Sequence, residues 1–383
     1  MTGRTGRDVV VVGGGPAGLA AAIAIRLTGR DVTVVERDAP PIDRVCGEGL
    51  MPDGVQCLSR LGVTIPASAV HRFSGIRYLQ DGIDAVARFR HGPGLGMRRW
   101  VLHGALTRRA EQVGVKMLWR TCVRRAGPTG VETDGGFIPA RWVVAADGGD
   151  SPLRRSLGLD RPPTHRRFGL RTHYEIRPWN DLVEVYWGNG CEMYVTPVAP
   201  FEVCVTALAA ERGLTFDSAL ARFPRLACRL AGARRADRVQ GAGTVFRRLD
   251  SVVTSHVALL GDASGSVDAI TGDGVTLAFH QAVALASALA DDDLAAYGAA
   301  HRRIMRLPFR MTALMLAIDR RPWLRRQVLR GLAAVPGLFR ALLTIHTRDL
   351  GVQQHGPALR ELSHPRPLPV TVDSGPAAAR AWR

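Results

Sequence analysis

The sequence predicts an α/β fold with three parts: a Rossmann-like dinucleotide-binding domain, an antiparallel β-sheet inserted into it as a substrate domain, and a C-terminal helical segment. Three observations predict this architecture. A glycine-rich turn joins a β-branched strand to a helix within the first 30 residues. Two later regions alternate apolar and polar residues, which is typical of strands with one buried face. Residues 291–350 then carry apolar positions at helical spacing.

The composition indicates a folded protein with a strong positive charge. Of 383 residues, 46% are hydrophobic and 22% are charged, which supplies enough apolar surface for a core and excludes a disordered chain. The formal net charge is +17, and Lys116 is the only lysine among 51 basic residues. Such an arginine bias is typical of codon composition, whereas nucleic-acid surfaces generally mix both cations. We therefore expect no nucleic-acid partner.

Cysteine spacing and apolar runs bear on metal binding and compartment. The six cysteines form no C-x-x-C pair and no cluster with zinc-ligand spacing, so we expect no metal ion. The sequence contains no run of 18 apolar residues, so we expect no transmembrane helix. The apolar run at the N-terminus is interrupted by three consecutive glycines, which favours a strand and a turn over a signal peptide. The expected location is the cytoplasm.

The first turn of the chain predicts a dinucleotide site. Residues 8–12 form a short β-branched run, typical of a buried parallel strand, and Gly13, Gly15 and Gly18 follow it in the spacing G-x-G-x-x-G. These glycines suit a tight turn, a close approach of the backbone to a pyrophosphate, and close packing of the helix on the strand. Pro16 and Ala17 open the helix, whose free N–H groups and dipole favour phosphate.

Three more strands are expected to end near this turn. The strand at residues 31–35 ends at Glu36, followed by Arg37, and a carboxylate there can bind both hydroxyls of a ribose. The strand at residues 142–146 runs into Asp147-Gly148, and the strand at 257–260 runs into Gly261-Asp262. The segment Thr271-Gly272-Asp273-Gly274 then opens a helix at Val275, which extends through residue 289.

These separated motifs, in this order, resemble the para-hydroxybenzoate hydroxylase superfamily of FAD enzymes over roughly residues 7–350. The resemblance implies FAD as the cofactor and NADH or NADPH as a transient electron donor. It also implies that Asp262 binds the ribityl chain and that Arg99, in an R-x-x-L segment, contacts FAD, with Arg98 as the alternative. The residues expected to bind FAD are Gly13, Gly15, Pro16, Ala17, Gly18, Glu36, Arg37, Arg44, Gly47, Arg99, Asp147, Gly148, Gly261, Asp262, Gly272, Gly274 and Val275.

The segment at 272–275 has a physical reason to face the flavin ring. Gly272 and Gly274 permit backbone N–H groups to approach a planar ring, and the helix that begins at Val275 directs its positive end toward it. That field would stabilise negative charge on reduced flavin. Asp273 departs from the hydroxylase pattern, in which glutamine is frequent at this position.

The loop at residues 44–50 carries the candidates for catalysis. Cys46-Gly47-Glu48-Gly49-Leu50 resembles the C-G-x-G-L segment of geranylgeranyl reductases more than the loop of simple aromatic hydroxylases. Glu48 could orient substrate or relay a proton, and Cys46 could act as a thiolate. A solvated glutamate and an inert, buried cysteine are equally expected.

The inserted sheet supplies further candidates for the substrate pocket. Arg171 and His173 share one face of a strand at period two, and Glu192 and Tyr194 share a face of another. Either pair could line the pocket, with His173 and Tyr194 as the catalytic candidates. An outward, solvated position is favoured for each of the four.

The sequence also suggests domain boundaries and partners. The segment at 301–350 carries 11 arginines against two aspartates, so contact with a membrane surface or an acidic carrier protein, through residues 301–340, is an alternative to simple packing. A monomer or a homodimer is expected. The FAD-binding domain comprises 7–69, 99–164 and 211–290, the substrate sheet 70–98 and 165–210, the helical segment 291–350, and a largely disordered tail 351–383.

The resemblance implies an FAD-dependent oxidoreductase with two candidate reactions. The first is NAD(P)H-dependent hydroxylation of an aromatic or polyketide-like molecule through a C4a-hydroperoxyflavin. The second, motivated by the loop at 46–50, is reduction or desaturation of a double bond in an isoprenoid or polyketide substrate.

Overall fold

The computed structural model describes residues 7–347. Its central sheet has seven strands, namely β1 Arg7–Val12, β2 Val32–Val35, β8 Lys116–Leu118, β9 Val123–Gly127, β10 Gly130–Thr133, β11 Gly136–Ala145 and β18 Val257–Leu259. Their order in the sheet is β8-β2-β1-β11-β10-β9, with β18 paired to β11. The strands β8, β2, β1, β11 and β18 run parallel, whereas β9 and β10 pair antiparallel at one side.

A second, eight-stranded sheet and a small three-stranded sheet are inserted between these strands. The large sheet contains β5 Gly75–Gln80, β6 Ile83–Arg88, β12 His165–Glu175, β13 Leu182–Trp187, β14 Cys191–Ala199, β15 Glu202–Ala209, β16 Arg234–Arg235 and β17 Gln240–Phe246. The small sheet contains β3 Gly49–Leu50, β4 His71–Phe73 and β7 Gly94–Gly96.

Ten α-helices are found in the described residues. They are α1 Pro16–Leu27, α2 Pro52–Arg60, α3 Arg99–Gln112, α4 Pro152–Ser156, α5 Phe216–Ala221, α6 Pro224–Leu230, α7 Gly274–Ala290, α8 Leu294–Asp319, α9 Pro322–Ala334 and α10 Pro336–His346. The helix α1 packs on β1 and β2 of the central sheet and contacts both α3 and α7, and α9 and α10 pack on β6 of the large sheet.

The predicted fold class is confirmed: a Rossmann-like α/β domain, an inserted sheet and a C-terminal helical segment. The structure differs from the architecture expected from the sequence in two places. The inserted sheet is not purely antiparallel, because β5 pairs parallel to β13. The strand β17, expected within the FAD-binding domain, pairs with β12 in the inserted sheet instead. The sequence did not indicate this strand because its small residues, Gly241-Ala242-Gly243, do not alternate between apolar and polar side chains as a half-buried strand does.

The expected disordered tail, 351–383, lies outside the described residues. No single described helix is long and apolar enough to cross a membrane. The consecutive helices α9 and α10 together meet that test by length and composition, but they bend by 104° at the break between them.

The glycine turn after β1 determines how closely α1 approaches the sheet. A Cβ added at Gly18 would lie 1.9 Å from the carbonyl oxygen of Gly13, far inside van der Waals contact. A Cβ added at Gly15 would meet no protein atom within 4 Å. Of these two positions, only Gly18 therefore requires a glycine for packing within the protein.

We predict that Gly18→Ala lowers the free energy of unfolding by about 3 kcal/mol, because the added methyl group overpacks the contact between turn and helix. Gly15→Ala is the matched control and should change it by less than about 0.5 kcal/mol. Urea denaturation followed by circular dichroism measures both. Equal stability of the two variants would contradict this account of the turn.

Candidate functional site

Four parallel strands of the central sheet end at one level, where their carboxyl ends form a common edge. Val12 is in register with Val35 on one side and with Ala145 on the other, and Ala145 is in register with Leu259. The hydrogen bonds continue one residue beyond the strands, because Gly13 N donates to the Val35 oxygen and Ala146 N donates to the Val12 oxygen. Segments that are far apart in sequence therefore meet at this edge, where ligands bind in open α/β sheets.

The turn after β1 leaves room for a phosphate group. The helix α1 begins at Pro16, and no side chain caps its N-terminus at Gly15. The space above Gly15 is free of protein atoms. Ala17 lies behind the turn, against Gly261. Free N–H groups and the positive end of the helix dipole thus face an open space, as an anion site requires.

Glu36 and a buried histidine brace this turn. Glu36 Oε2 accepts a hydrogen bond of 2.6 Å from Gly14 N, and its Oε1 accepts one from Asp38 N. His103 on α3 lies 3.0 Å from the Gly14 oxygen through Nε2 and accepts from Ile42 N through Nδ1. Burial lowers the pKa of His103 to about 4, so the imidazole is neutral and donates to the Gly14 oxygen.

Arg37 and Arg44, both expected near the cofactor, are exposed and share one partner. Arg44 Nη2 donates to Asp38 Oδ2 at 2.5 Å, and Arg37 Nε lies 3.9 Å from the same oxygen. They lie on the surface, and neither forms an ion pair or a side-chain hydrogen bond with the glycine turn among the described residues.

The segment after β11 is clamped to the segment after β18. Arg154 is fully buried, and it donates to the Gly149 oxygen at 2.7 Å and to the Ala263 oxygen at 3.1 Å. Asp147 Oδ2 accepts from Leu153 N at 3.2 Å, whereas its Oδ1 is buried and has no hydrogen-bond partner. Gly148 has a φ of +88° and open space above it. This segment therefore presents an unsatisfied acceptor at the sheet edge.

Arg99 and Asp262 face the same region from opposite sides. Desolvation by the surrounding protein raises the pKa of the Asp262 carboxyl although the residue is open to solvent on one side, and the charges of Arg99 and Arg154 partly offset this. Burial likewise lowers the pKa of Arg99, whose Nη1 is buried without a hydrogen-bond partner. Its neighbour Arg98 is instead paired with Glu202 at 2.5 Å. The geometry thus favours Arg99 over Arg98 as the cofactor ligand.

The helix α7 contacts the segment after β18, and we call the space between the start of α7, this segment, Arg99, Asp147 and the glycine turn the groove. Gly272 has a φ of +70°, and a Cβ at Gly274 would meet no protein atom within 4 Å. Val275 is half-buried in the first turn of α7. Asp273 is ion-paired with His346 of α10 at 2.9 Å, which raises the pKa of His346 to about 9 against the opposing effect of burial.

These features fit FAD. The groove offers unpartnered buried atoms at Arg99 and Asp147, which can bind a ligand's polar groups. It offers open backbone at four glycines that lie in four different segments, namely Gly15, Gly47, Gly148 and Gly274. It also begins at a helix N-terminus suited to a pyrophosphate.

The loop between β2 and β3 places Glu48 at the centre of a buried hydrogen-bond network. Glu48 has a φ of 59°, unusual for a residue with a side chain, and it is 5% exposed. Its Oε1 accepts from Arg99 N at 2.8 Å and from Arg171 Nη1 at 2.9 Å. Its Oε2 lies 2.6 Å from His173 Nε2. The loop is thereby held against both α3 and β12.

The network continues from His173 to the protein surface. His173 Nδ1 lies 2.8 Å from Asp237 Oδ2 and 2.8 Å from Arg98 Nη1. Asp237 also accepts from the His173 backbone N at 3.0 Å, and its side chain is 26% exposed. Glu48, His173 and Asp237 therefore form a continuous chain from a buried carboxylate to a solvent-accessible one.

Two cysteines flank this network. Cys46 Sγ accepts a hydrogen bond from Glu48 N at 3.4 Å, and burial raises the pKa of Cys204 well above its ordinary value. Ligand atoms of Glu48, His173 and Cys204 lie within 4.8 Å of one another, as in a metal site. The Arg171 guanidinium donates to the same carboxylate, however, and a cation at that distance disfavours a divalent ion.

Tyr194 belongs to a different cluster in the inserted sheet. Its hydroxyl donates to Glu192, which is ion-paired with Arg167 at 3.1 Å. Burial raises the pKa of Glu192 to about 7, partly offset by Arg167. The structure thus brings Cys46, Glu48 and His173 together, but it groups Tyr194 elsewhere.

The expected outward position is wrong for three of the four sheet candidates, and the fourth, Tyr194, is half-buried. Arg171 is 1% exposed, His173 0% and Glu192 1%. They are buried because each is paired with an opposite charge from another segment, such as Asp43, which accepts from Arg171 at 2.6 Å.

Two important residues were not found from the sequence. Asp237 lies in an arginine-rich stretch that looks like a solvated turn, and nothing in its surroundings signals a partner 64 residues away. His103 does have a signal, since it lies four positions after Arg99 on one helix and so shares its face.

A family model described as an FAD binding domain matches residues 7–292. Menaquinone reductase from Mycobacterium tuberculosis is 29% identical over 320 residues, which covers 75% of this chain and 78% of that protein. A 3-(3-hydroxy-phenyl)propionate/3-hydroxycinnamic acid hydroxylase from Mycolicibacterium gilvum is 34% identical over 42% of this chain and 31% of that protein.

A solved structure with the same fold is p-nitrophenol 4-monooxygenase from Pseudomonas putida DLL-E4. It has a TM-score of 0.75 and 18% identity, and the match covers 90% of this chain and 98% of that one. Because the family model spans most of the described residues, from the glycine turn through α7, the chain belongs to the FAD-binding-domain family and is an FAD-dependent oxidoreductase.

Proposed function

We propose that this protein is an NAD(P)H-dependent monooxygenase that hydroxylates an electron-rich aromatic molecule. The observation that carries the proposal is the position of Glu48, whose carboxylate accepts hydrogen bonds from Arg99 N and Arg171 and contacts His173. Its Oε1 is occupied by two N–H donors, whereas its Oε2 faces the imidazole of His173, with which it can exchange a proton. This arrangement suits a site that removes a proton from a phenol, which makes the ring more electron-rich.

The residues at the sheet edge would hold the cofactor for this reaction. The turn at Gly13–Gly15 and the N-terminus of α1 would bind the pyrophosphate, Glu36 the adenosine ribose, and Asp262 the ribityl chain. The chemistry that bound FAD would supply is transfer of two electrons from NAD(P)H to O2, so that one oxygen atom would enter the aromatic ring and the other would leave as water.

The chain from Glu48 to Asp237 would carry the phenol proton away. His173 can accept a proton at Nε2 and release one from Nδ1, and each nitrogen lies within hydrogen-bond distance of a carboxylate. Asp237 is the solvent-accessible end. Glu48 and His173 are thus proposed as the proton relay, and Cys46 as a residue that holds the Glu48 loop through its hydrogen bond to Glu48 N.

We expect Asp262→Ala and Arg99→Leu to weaken FAD binding by about tenfold or more, because Arg99 Nη1 is buried without a hydrogen-bond partner and the Asp262 carboxyl is exposed at the groove, where a ligand can reach both groups. Flavin fluorescence titration of the apoprotein measures the dissociation constant. Asp250→Ala, at a side chain that is 77% exposed, is the control and should bind FAD normally. Unchanged affinity in both groove variants would place the cofactor elsewhere.

His173→Ala should lower kcat by about 100-fold while leaving the FAD content of the protein unchanged, because it interrupts the proton relay. Added imidazole should restore part of the rate, and Asp237→Asn should reduce kcat more mildly. The pH profile of kcat and the imidazole dependence are the measurements. Cys204→Ser tests the same pocket without breaking the relay and should retain activity.

A rate that His173→Ala lowers, but that neither imidazole nor higher pH restores, would assign His173 a structural role only. The same loss in Cys204→Ser would lead to that conclusion, since it would show that any change in this pocket is damaging.

A second candidate function is reduction of a double bond in an isoprenoid-like molecule. It is favoured by the Cys46-Gly47-Glu48-Gly49-Leu50 loop, which resembles that of geranylgeranyl reductases, and by the similarity to menaquinone reductase over most of the chain. This reaction needs a proton donor at the double bond, and the chain from Glu48 through His173 to Asp237 would supply a proton if it ran in the reverse direction. The contacts of Glu48 therefore suit both reactions, and turnover experiments separate them.

Turnover in ¹⁸O₂ separates the two reactions. For hydroxylation we expect substrate-dependent consumption of O2 with a panel of phenols, and one labelled oxygen atom in the product. Mass spectrometry of the product and an oxygen electrode provide the readouts. Anaerobic turnover of an isoprenoid quinone with NAD(P)H, and no labelled product from any phenol, would exclude hydroxylation and support reduction.

A further inference from the structure

The last described helix exposes an apolar stripe. On α10 and at its N-terminus, Val335, Leu338, Leu342 and Ile345 follow one another at intervals of three or four positions, so they share one helical face. They are 53%, 50%, 40% and 40% exposed. Such a row of large exposed side chains is rare on a monomeric surface and marks an interaction site.

A neighbouring face of α10 packs inward. Phe339 and Leu343 are each 5% exposed, and Phe339 lies 5.6 Å from the ring of Tyr78 in the inserted sheet. His346 contacts Asp273 and the Thr271 oxygen, next to the start of α7. One helix therefore separates the apolar stripe from the groove that binds the cofactor.

Exposed arginines lie on the same two helices, α9 and α10. Arg321, Arg326 and Arg330 on or next to α9, and Arg340 on α10, are exposed and form no ion pair with any described residue. Trp323, at the beginning of α9, is 68% exposed. Arginine and tryptophan beside an apolar row are the composition of helices that lie in a membrane interface.

We propose that α9 and α10 form a docking surface for a bilayer that contains anionic lipids. The apolar stripe would enter the boundary between headgroups and acyl chains, and the arginines would bind the lipid phosphates. The bend of 104° between two helices that are jointly apolar enough for a membrane segment suits a pair lying in the interface. The proposal does not depend on the reaction, because it concerns the resting flavoprotein.

Charge argues against the other occupants of this surface. A second copy of the chain would bring the same unpaired arginines face to face across a two-fold axis, where they repel. The remaining chain, residues 348–383, carries five arginines against three acidic residues, so it would not neutralise the patch. An anionic lipid surface supplies the missing negative charge.

Sedimentation of the full-length holoenzyme with vesicles tests the proposal. With phosphatidylcholine vesicles containing 30 mol% phosphatidylglycerol, about the anionic content that attracts basic segments, we expect binding that falls steeply with salt, and at least about tenfold weaker binding to pure phosphatidylcholine. Leu338→Glu/Leu342→Glu should weaken binding to the anionic vesicles by about tenfold or more. Arg326→Gln/Arg330→Gln/Arg340→Gln should do the same and reduce the salt dependence.

The control variants alter large exposed apolar residues elsewhere. Phe201→Glu and Phe137→Glu, at side chains that are 70% and 55% exposed, should bind vesicles like the unaltered protein. FAD absorbance of each variant reports its folding. The proposal is overturned if the unaltered holoenzyme does not bind anionic vesicles, or if the controls lose as much binding as the stripe variants.

The proposal is also overturned if the holoenzyme is a dimer in solution that the stripe variants convert to a monomer, since the stripe would then be covered by a second copy. Light scattering after size-exclusion chromatography measures this mass. A mass that is identical in the unaltered protein and the stripe variants supports the lipid surface.

Discussion

The carboxylate of Glu48 is the group on which the arrangement of the site depends. It is buried, and its partners come from two different parts of the chain: the backbone of Arg99 at the start of α3, and the side chains of Arg171 and His173 on β12. An isolated charge in this position would be strongly unfavourable, and removing one partner of a buried pair costs about 3–5 kcal/mol. The carboxylate therefore connects the inserted sheet to the cofactor-binding domain, and it lies in the loop that we propose for proton transfer.

The same constraint explains which features could be predicted from the sequence. The glycine turn, Glu36 and the strand ends are local patterns with a fixed spacing, and they meet because parallel strands end at one edge. Arg171 and His173 were expected to face solvent, because period-two alternation alone indicates polar residues outside. They are buried because their partners, such as Asp43 and Asp237, come from distant segments that no local pattern identifies.

The C-terminal helices link the inserted sheet to the cofactor groove. Phe339 of α10 packs on Tyr78, while His346 pairs with Asp273 at the entry to α7. Asp273 is also the position where the sequence departs from the hydroxylase pattern, and the ion pair gives that departure a physical role: it fastens α10 over the groove. The arginine-rich segment at 301–350 therefore includes α10, a helix that also borders the groove through His346.

The central claim is that Glu48, His173 and Asp237 carry a proton from a bound phenol to solvent. Stopped-flow measurement with a pH indicator, after mixing oxidised holoenzyme with a phenol whose binding perturbs the flavin spectrum, tests it without turnover. The account predicts release of about one proton for each phenol bound, at a rate that Asp237→Asn slows while phenol binding itself stays fast. Phenol binding that releases no proton, or release at the same rate in Asp237→Asn, would contradict it.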